Sequence, residues 1–395
     1  MSATVKPGYK QAEVGVIPEE WEVSGLQQVC RATITYGIVQ CGPHIRDGVP
    51  YIRVSDMDEP ELAVDAMLRT SKSIAAKFAR STVEKGDLVY ALRGKLGEVR
   101  QVRAPLAGAN LTQGTARLSP NDRLASDYFV WAMRDPRIVR QAEVEAKGTT
   151  FREITLADLR RIKLLVPPLP EQRAIATALS DMDALLAALD RLIAKQRDLK
   201  QAAMQQLLTG HTRLPGFHGE WVVKRLGDVS TLSKGTQLHS SETDEGGNFA
   251  HLNGGITPSG YTHKTNAPAN SIAISEGGNS CGFVQFMTEP YWCGGHCYSV
   301  IPSDINNHFL YHALKGQQSA IMALRVGSGL PNVQKTGLLA FNLHFPTSLP
   351  EQAAIAEVLG DMDAELSALE QRRDKTRALK QGMMQELLTG RTRLA

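Results

Sequence analysis

A stretch of 46 residues occurs twice in this chain, 180 positions apart and without a gap. Leu169-Pro170-Glu171-Gln172 returns as Leu349-Pro350-Glu351-Gln352, and Asp181-Met182-Asp183-Ala184 as Asp361-Met362-Asp363-Ala364. Leu207-Leu208-Thr209-Gly210 returns as Leu387-Leu388-Thr389-Gly390, and Thr212-Arg213-Leu214 as Thr392-Arg393-Leu394. In all, 29 of the 46 positions are identical. Self-similarity at one fixed offset means that two segments fold alike, so the chain is built as two halves. A fainter repeat at offset 200 carries Glu20-Trp21, Leu26 and Val29 onto Glu220-Trp221, Leu226 and Val229. The bodies in between, roughly residues 30–165 and 230–345, share little sequence. A common frame with different contents suits two specificities carried on one scaffold.

The repeated element reads as a long helix. Pro170 sits where a first turn tolerates proline, and Glu171 puts negative charge at the positive end of the helix dipole. Apolar residues follow at Ile175, Leu179, Met182, Leu186, Leu189 and Ile193, with Ile355, Leu359, Met362, Leu366 and Leu369 in the same register of the second copy. Steps of four and three make a seam that packs one helix along another, and two homologous copies pack most simply antiparallel. Gly210 and Gly390 close the helices, with Lys200 and Lys380 late in each. Glu171 to Leu208 as a helix would be about 57 Å long. Glu171, Gln172, Asp181, Asp183, Lys195, Arg197, Gln201 and Gln205 recur as well. Seam packing alone does not demand them. A second protein gripping each copy alike would, and recent duplication would also keep them.

Composition narrows the class. The 395 residues suffice for two or three domains, and 42% hydrophobic with 22% charged residues excludes wholesale disorder. No apolar run approaches the roughly 18 residues of a membrane span, and Met1–Gly15 lacks the pattern of a secretory signal, so cytoplasmic residence is expected. Five cysteines fit a reducing compartment better than a disulfide framework. Net charge is +3, about +4 of it on residues 1–168 against about −1 on 217–348, so charge alone does not announce a nucleic-acid binder. The bodies read as α/β. Apolar runs at Tyr51–Val54, Asp87–Leu92, Ile272–Ser275 and His296–Ile301 suggest strands between glycine-rich turns, with helices at Asp127–Met133 and His308–Leu314.

Pro167–Gln172, the Leu-Leu-Thr-Gly-x-Thr-Arg-Leu element, its repetition, and Leu214–Phe217 leading to Glu220-Trp221 resemble the DNA specificity subunits of type I restriction-modification systems. The likeness extends to Tyr51–Val54, Gly86–Val89, Arg93-Gly94, Asn110–Gly114 and Gly148–Phe151 in the first body. In the second it extends to Lys234–Thr236, Leu252–Gly255 and Gly327–Val333. The resemblance implies two α/β DNA target recognition domains, each reading half of an interrupted site. Two long repeated helices, packed as an antiparallel coiled coil with an internal pseudo-two-fold repeat, would separate them and set the spacer. It divides the chain into a first recognition domain (1–168), a central helix (169–210), a second recognition domain with a short linker (211–348; linker 211–219) and a C-terminal helix (349–395). The implied partners are double-stranded DNA, two modification subunits that methylate adenine N6, and restriction motor-nuclease subunits. S-adenosylmethionine, ATP and magnesium would lie on those partners, with no cofactor in this chain. The antiparallel helices would span more than one turn of duplex, about 34 Å.

Base reading uses Arg, Lys, Asn and Gln on loops, with Ser, Thr and backbone amides on phosphates. The first body offers Tyr36, Gln40, Arg46, Arg53, Arg93, Lys95, Gln113 and Arg152 in or beside glycine-containing loops. The second offers Lys234, Thr236, Asn253, Tyr261, Asn279, Tyr291, Trp292, Ser328, Asn332 and Lys335. Catalytic patterns are poor by comparison. There is no Gly-x-x-x-x-Gly-Lys-Ser/Thr loop, no Asn/Asp-Pro-Pro-Tyr/Phe quartet and no Pro-Asp dipeptide. Gly278-Asn279-Ser280-Cys281-Gly282 fits Gly-x-Ser-x-Gly, but Phe283–Phe286 reads as a strand where a nucleophile elbow needs a helix. Cys293-Gly-Gly-His296-Cys297 lacks the second ligand pair of a structural zinc site and reads better as buried strand-turn cysteines. Asp181 and Asp183 face different sides of a helix and so do not converge on a substrate. The expected role is recognition and assembly. A self-contained enzyme and a pure scaffold are the rival classes.

Overall fold

In a computed structural model, the structure describes residues 6–59, 61–148, 152–239, 243–244, 246–327 and 329–394. The chain divides into two compact units, Met1–Ala188 with Arg373–Ala395, and Leu189–Arg372. Two 39-residue helices, Leu169–Leu207 and Leu349–Leu387, each contribute to both units. At 1.5 Å per residue each is about 58 Å long. Among the described residues no helix is long and apolar enough to cross a membrane.

Among the described residues the first unit holds four small sheets, one of them a hairpin of Tyr9–Ala12 with Gly15–Pro18. Four antiparallel strands run in the order Thr35–Tyr36, Thr115–Leu118, Leu88–Ala91, Val99–Gln101. Three more run Arg69–Thr70, Val49–Ile52, Asn110–Leu111, the last pair parallel. A two-stranded ribbon joins Glu22–Gly25 to Lys163–Val166. The second unit repeats the other three sheets and adds a short ribbon of Arg325–Val326 with Asn332–Val333. Its four-stranded sheet runs Ser230–Lys234, Cys297–Pro302, Ser271–Ser275, Val284–Met287. Its three-stranded sheet runs Gly260–Thr262, Phe249–Leu252, Trp292–Cys293, again with one parallel pair. Its ribbon joins Trp221–Arg225 to Asn342–Pro346. The two bodies, unlike in sequence, therefore share one topology.

The central strands explain the layering. Leu88–Ala91 is buried along its whole length because successive side chains point to opposite faces and both faces are covered. Leu88 and Tyr90 enter the main core with Trp21, Leu118, Phe129, Ile175 and Leu179, while Val89 and Ala91 enter a smaller one with Ile52, Met57, Val83 and Leu111. In the second unit Ile272 and Ile274 face the main core, and Ala273 faces a smaller one with Leu252, Tyr291, Cys293 and Cys297. A helix covers the main core in each unit, Ser126–Met133 and Asn307–Gly316.

The seam residues serve two purposes. Ile175 and Leu179, like Ile355 and Leu359, belong to the main core of a body. Further along, Leu189 and Ile193 remain buried, while Met182, Leu186, Met362, Leu366 and Leu369 are half-buried. Within each unit the helix segments run antiparallel. In the first, Lys380 pairs with Asp183; in the second, Lys200 pairs with Asp363 and Arg197 with Glu370.

Glu171 and Gln172 recur for an internal reason. Glu171 is buried, and its carboxylate accepts from Trp21 Nε1 (2.8 Å) and from Arg393 Nε (2.6 Å) and Nη2 (2.9 Å). Glu351 accepts from Arg213 Nε (2.5 Å) and Nη2 (2.7 Å) in the same way. Gln172 Oε1 accepts from Ala125 N and its Nε2 donates to Pro167 O, both at 2.8 Å. Gln352 makes the matching bonds to Asn306 N (2.7 Å) and Pro346 O (2.8 Å). These side chains fasten each helix to its body, so a partner protein is not needed to account for them. Gly210 and Gly390 are left-handed, with φ +74° and +72°. An added Cβ would meet the Trp221 ring at 3.1 Å in one case and Pro18 at 2.5 Å in the other.

Candidate nucleic-acid interface

In the first unit Tyr36, Arg93 and Gln113 gather at one end of the four-stranded sheet. Gly37 N donates to Thr112 O (3.0 Å) and Gln113 N to Ile38 O (3.0 Å), which sets Tyr36 beside the Leu111–Gly114 loop. Gly114 is glycine for a reason: an added Cβ would lie 3.1 Å from Arg93 Nε and 3.2 Å from Val54. Arg93 and Gln113 thus share a patch with the Arg53–Val54 turn, and the Glu153 backbone forms isolated β-bridges with Arg93 and Lys147. Not all of these cations are free. Arg53 Nη2 pairs with Asp56 at 2.6 Å and Lys95 pairs with Asp58, so both spend charge on holding turns. Arg152 donates to Glu143 O. Arg46 and Arg93 are exposed and make no ion pair among the described residues. Gln40 and Arg46 stand on a different exposed loop, tied to the Arg69–Thr70 strand by Ile45 N donating to Arg69 O (3.0 Å).

In the second unit the corresponding end is tied together by hydrogen bonds. Thr236 N donates to Cys293 O (2.9 Å) and Trp292 Nε1 to Thr236 O (2.8 Å). His296 N donates to Asn253 Oδ1 (3.2 Å), and Gln334 Nε2 to Asn332 Oδ1 (2.7 Å). Lys234 Nζ donates to Glu276 Oε1 at 2.6 Å, and Tyr298 hydroxyl donates to the same oxygen at 2.9 Å. Burial first, and then the Glu276 carboxylate, raise the Tyr298 pKa far above that of an ordinary phenol. Asn279, Tyr261 and Lys335 are exposed. Tyr291 is a correction: it is 0% exposed in the smaller core, so its side chain cannot reach a base while that core is intact. Ser328 lies outside the described residues, as do Thr149, Thr150 and Phe151.

The doubtful catalytic patterns resolve into architecture. Gly278–Gly282 is the connection between the antiparallel strands Ser271–Ser275 and Val284–Met287, with Gly282 at φ +85° and no helix after Ser280. Cys293 and Cys297 are buried, and the Cys293 thiol donates to Cys297 O at 3.4 Å. His296, by contrast, is exposed. Among the described residues no three metal-ligating side chains converge.

Sequence reasoning missed Glu276. A glutamate before Gly277-Gly278 reads as a turn residue, and only the fold shows it receiving Lys234 and Tyr298 from two other strands. The Leu92 position that matches it in the first unit carries no such signal either.

Comparison with known proteins agrees with this geometry. The pattern defining the type I restriction modification DNA specificity domain matches twice, at residues 18–196 and 218–377. The chain is 25% identical over 203 residues to the specificity subunit of the EcoBI type I restriction enzyme of Escherichia coli, covering 49% of this chain and 42% of that one. It is 31% identical over 175 residues to a Mycoplasma pneumoniae protein described as a type I specificity subunit, covering 44% and 46%. These matches span less than half the length of either relative. The MjaVIII specificity subunit of Methanocaldococcus jannaschii matches along the whole chain, 22% identical over 423 residues with 96% and 94% covered. Among solved structures, the type I restriction-modification S subunit of M. genitalium shares the fold, with TM-score 0.66, 20% identity, and 93% and 96% covered. With its defining domain matched in both halves, the chain belongs to the type I restriction-modification DNA specificity family.

Proposed function

We propose that this chain is the DNA-recognition subunit of a type I complex and reads an interrupted site, one half per unit. The observation that carries this reading is the double use of one topology with different side chains upon it, Tyr36 in one unit standing where Lys234 stands in the other. A duplicated scaffold keeps two readers in the same geometry, while Tyr36, Arg93 and Gln113 in one and Lys234, Thr236 and Asn253 in the other give them different chemistry. Weak net charge is compatible, since phosphate contacts supply affinity and a few loop side chains supply sequence choice.

In this reading the chain performs no chemistry. Modification subunits bring S-adenosylmethionine and methylate adenine N6, and restriction subunits bring ATP, magnesium and the nuclease. The long helices set the interval between half-sites and offer the partners their docking frame. Gln201 and Gln205 are exposed in one helix and Gln381 and Gln385 in the other, recurring residues whose side chains make no hydrogen bond among the described residues. The complex acts in the cytoplasm, where the DNA is.

The test is an exchange of bodies. Residues 30–165 are replaced by the matching body of another family member, and the chimera is assembled with the cognate modification subunit. One half of the methylated motif changes and the other is kept. If both halves change, or neither does, the units are not independent readers.

A further inference from the structure

The two units hold one position in two chemical states. In the first, Tyr36 pairs with Ala116, which pairs with Tyr90; in the second, Lys234 pairs with Tyr298, which pairs with Ile274. Two residues beyond Tyr90 and Ile274 stand Leu92 and Glu276. Their backbones are bonded alike: Leu92 N donates to Gly114 O and Glu276 N to His296 O, both at 2.9 Å. Leu92 O accepts from Ile154 N (3.0 Å) and Glu276 O from Val333 N (2.8 Å). Tyrosine with leucine in one unit thus corresponds to lysine with glutamate in the other. The fold does not require a carboxylate at this point, because the first unit places a buried leucine there.

A carboxylate that the fold does not require, kept 13% exposed, needs another reason. Its Oε1 holds two donors, while Oε2 is buried, accepts no hydrogen bond among the described residues, and lies 3.8 Å from the exposed His296 Nδ1. Lys234 is 52% exposed, and Glu276 engages one of its three N–H donors. A free lysine on a loop loses side-chain entropy when it binds. One already held by a carboxylate that is itself fixed by Tyr298 presents its remaining donors in a set direction.

We propose that Lys234, aimed by Glu276, is a base-reading side chain of the second unit, donating to the acceptor edge of a guanine in the major groove, with Glu276 as its positioning residue. The proposal rests on the reading of the chain as a DNA-recognition subunit. Tyr36, on the matching strand position, gives the first unit a different reader at the same place.

The test uses the full chain with its modification subunit in a host without other methyltransferases. Wild type, Lys234→Met, Glu276→Gln and the double variant are compared by the methylated motif and by the salt dependence of duplex binding. Each single variant relaxes the same one base pair of one half-site by about ten- to hundredfold, the other half-site is kept, and the double variant goes no further. Tyr298→Phe, which removes one donor from Glu276 at constant shape, relaxes that base pair more weakly; it also covers the case of a Glu276 variant that does not fold. If Lys234→Met keeps the motif but weakens binding to every sequence, with the salt slope smaller by about one, the lysine is a phosphate contact and the proposal fails. If the single variants relax different positions, or their effects add, Glu276 does not position Lys234. A wild-type complex that methylates no motif overturns the functional reading itself, and the wild-type arm tells that failure apart from failure of the pair.

Discussion

His312 and Trp131 hold the same place in their helices, and the difference between them has a measurable consequence. In the first unit Lys380 lies over the Trp131 ring, 4.8 Å from its centroid, and pairs with Asp183. In the second, Lys200 pairs with Asp363, and His312 is 3% exposed with Nδ1 lacking a hydrogen-bond partner among the described residues, 4.0 Å from Asp363 Oδ2. Burial pushes the His312 pKa down to about 4, with Asp363 opposing the shift and Lys200 and His308 adding to it. Unfolded, the imidazole binds a proton near pH 6.5, which the folded unit refuses until about pH 4. Stability from this group is therefore complete above pH 6.5 and is lost as pH falls toward 4, by at most about 3 kcal/mol. Replacing His312 with Phe should flatten this part of the acid dependence, read as the difference in urea midpoint between pH 7.5 and 4.5. An unchanged slope would mean that the imidazole is not held neutral. Single residues were the least legible scale in the sequence. Tyr291 and Trp292 read alike in the sequence as aromatic candidates, yet alternation along a strand sends neighbours to opposite faces, and only Trp292 is partly exposed. Arg53 and Lys95 were visible as cations, but their pairing with Asp56 and Asp58 depends on turns that only the fold shows.

At the scale of elements, the long helices were fully written in the sequence, because a seam repeated in two copies leaves little choice of partner face. What they fasten to was written less clearly. Glu171 and Glu351 recur as buried acceptors of an arginine fork, one for each unit, and Trp21 donates to the first. Truncating the arginine leaves a carboxylate buried and unpaired, which costs about 3–5 kcal/mol in such settings. Arg393→Met should therefore raise hydrogen exchange in the first unit, and Arg213→Met in the second, each leaving the other unit protected. Equal loosening of both units by either change would contradict this division. Gly390→Ala should act on the first unit as well, since its left-handed backbone and the Pro18 ring 2.5 Å from the added Cβ both oppose a side chain. The shared topology of the two bodies escaped the sequence for a physical reason. Their strands run only two to six residues, and each is fixed by what it packs against rather than by propensity. Leu88–Ala91 and Ser271–Ser275 are both buried on two faces, yet have only alanine in common.

For the whole molecule, the duplication at offset 180 is the feature from which the account follows: one frame, two contents. If the helices set the interval between half-sites, removing a matching heptad from both shortens each by about 10 Å, roughly three base pairs of duplex. The preferred spacer should shorten with both half-sites unchanged, as read by selection from duplexes with varied spacers. Loss of half-site identity would make the helices part of the readers rather than their spacing. The most direct test of the central claim is methylation mapping of DNA from cells that express this chain with and without its modification subunit, in a host lacking other methyltransferases. One interrupted motif with methylated adenine on both strands is expected, present only when both proteins are made. A motif produced by this chain alone, or a stable complex that marks no motif, would contradict it.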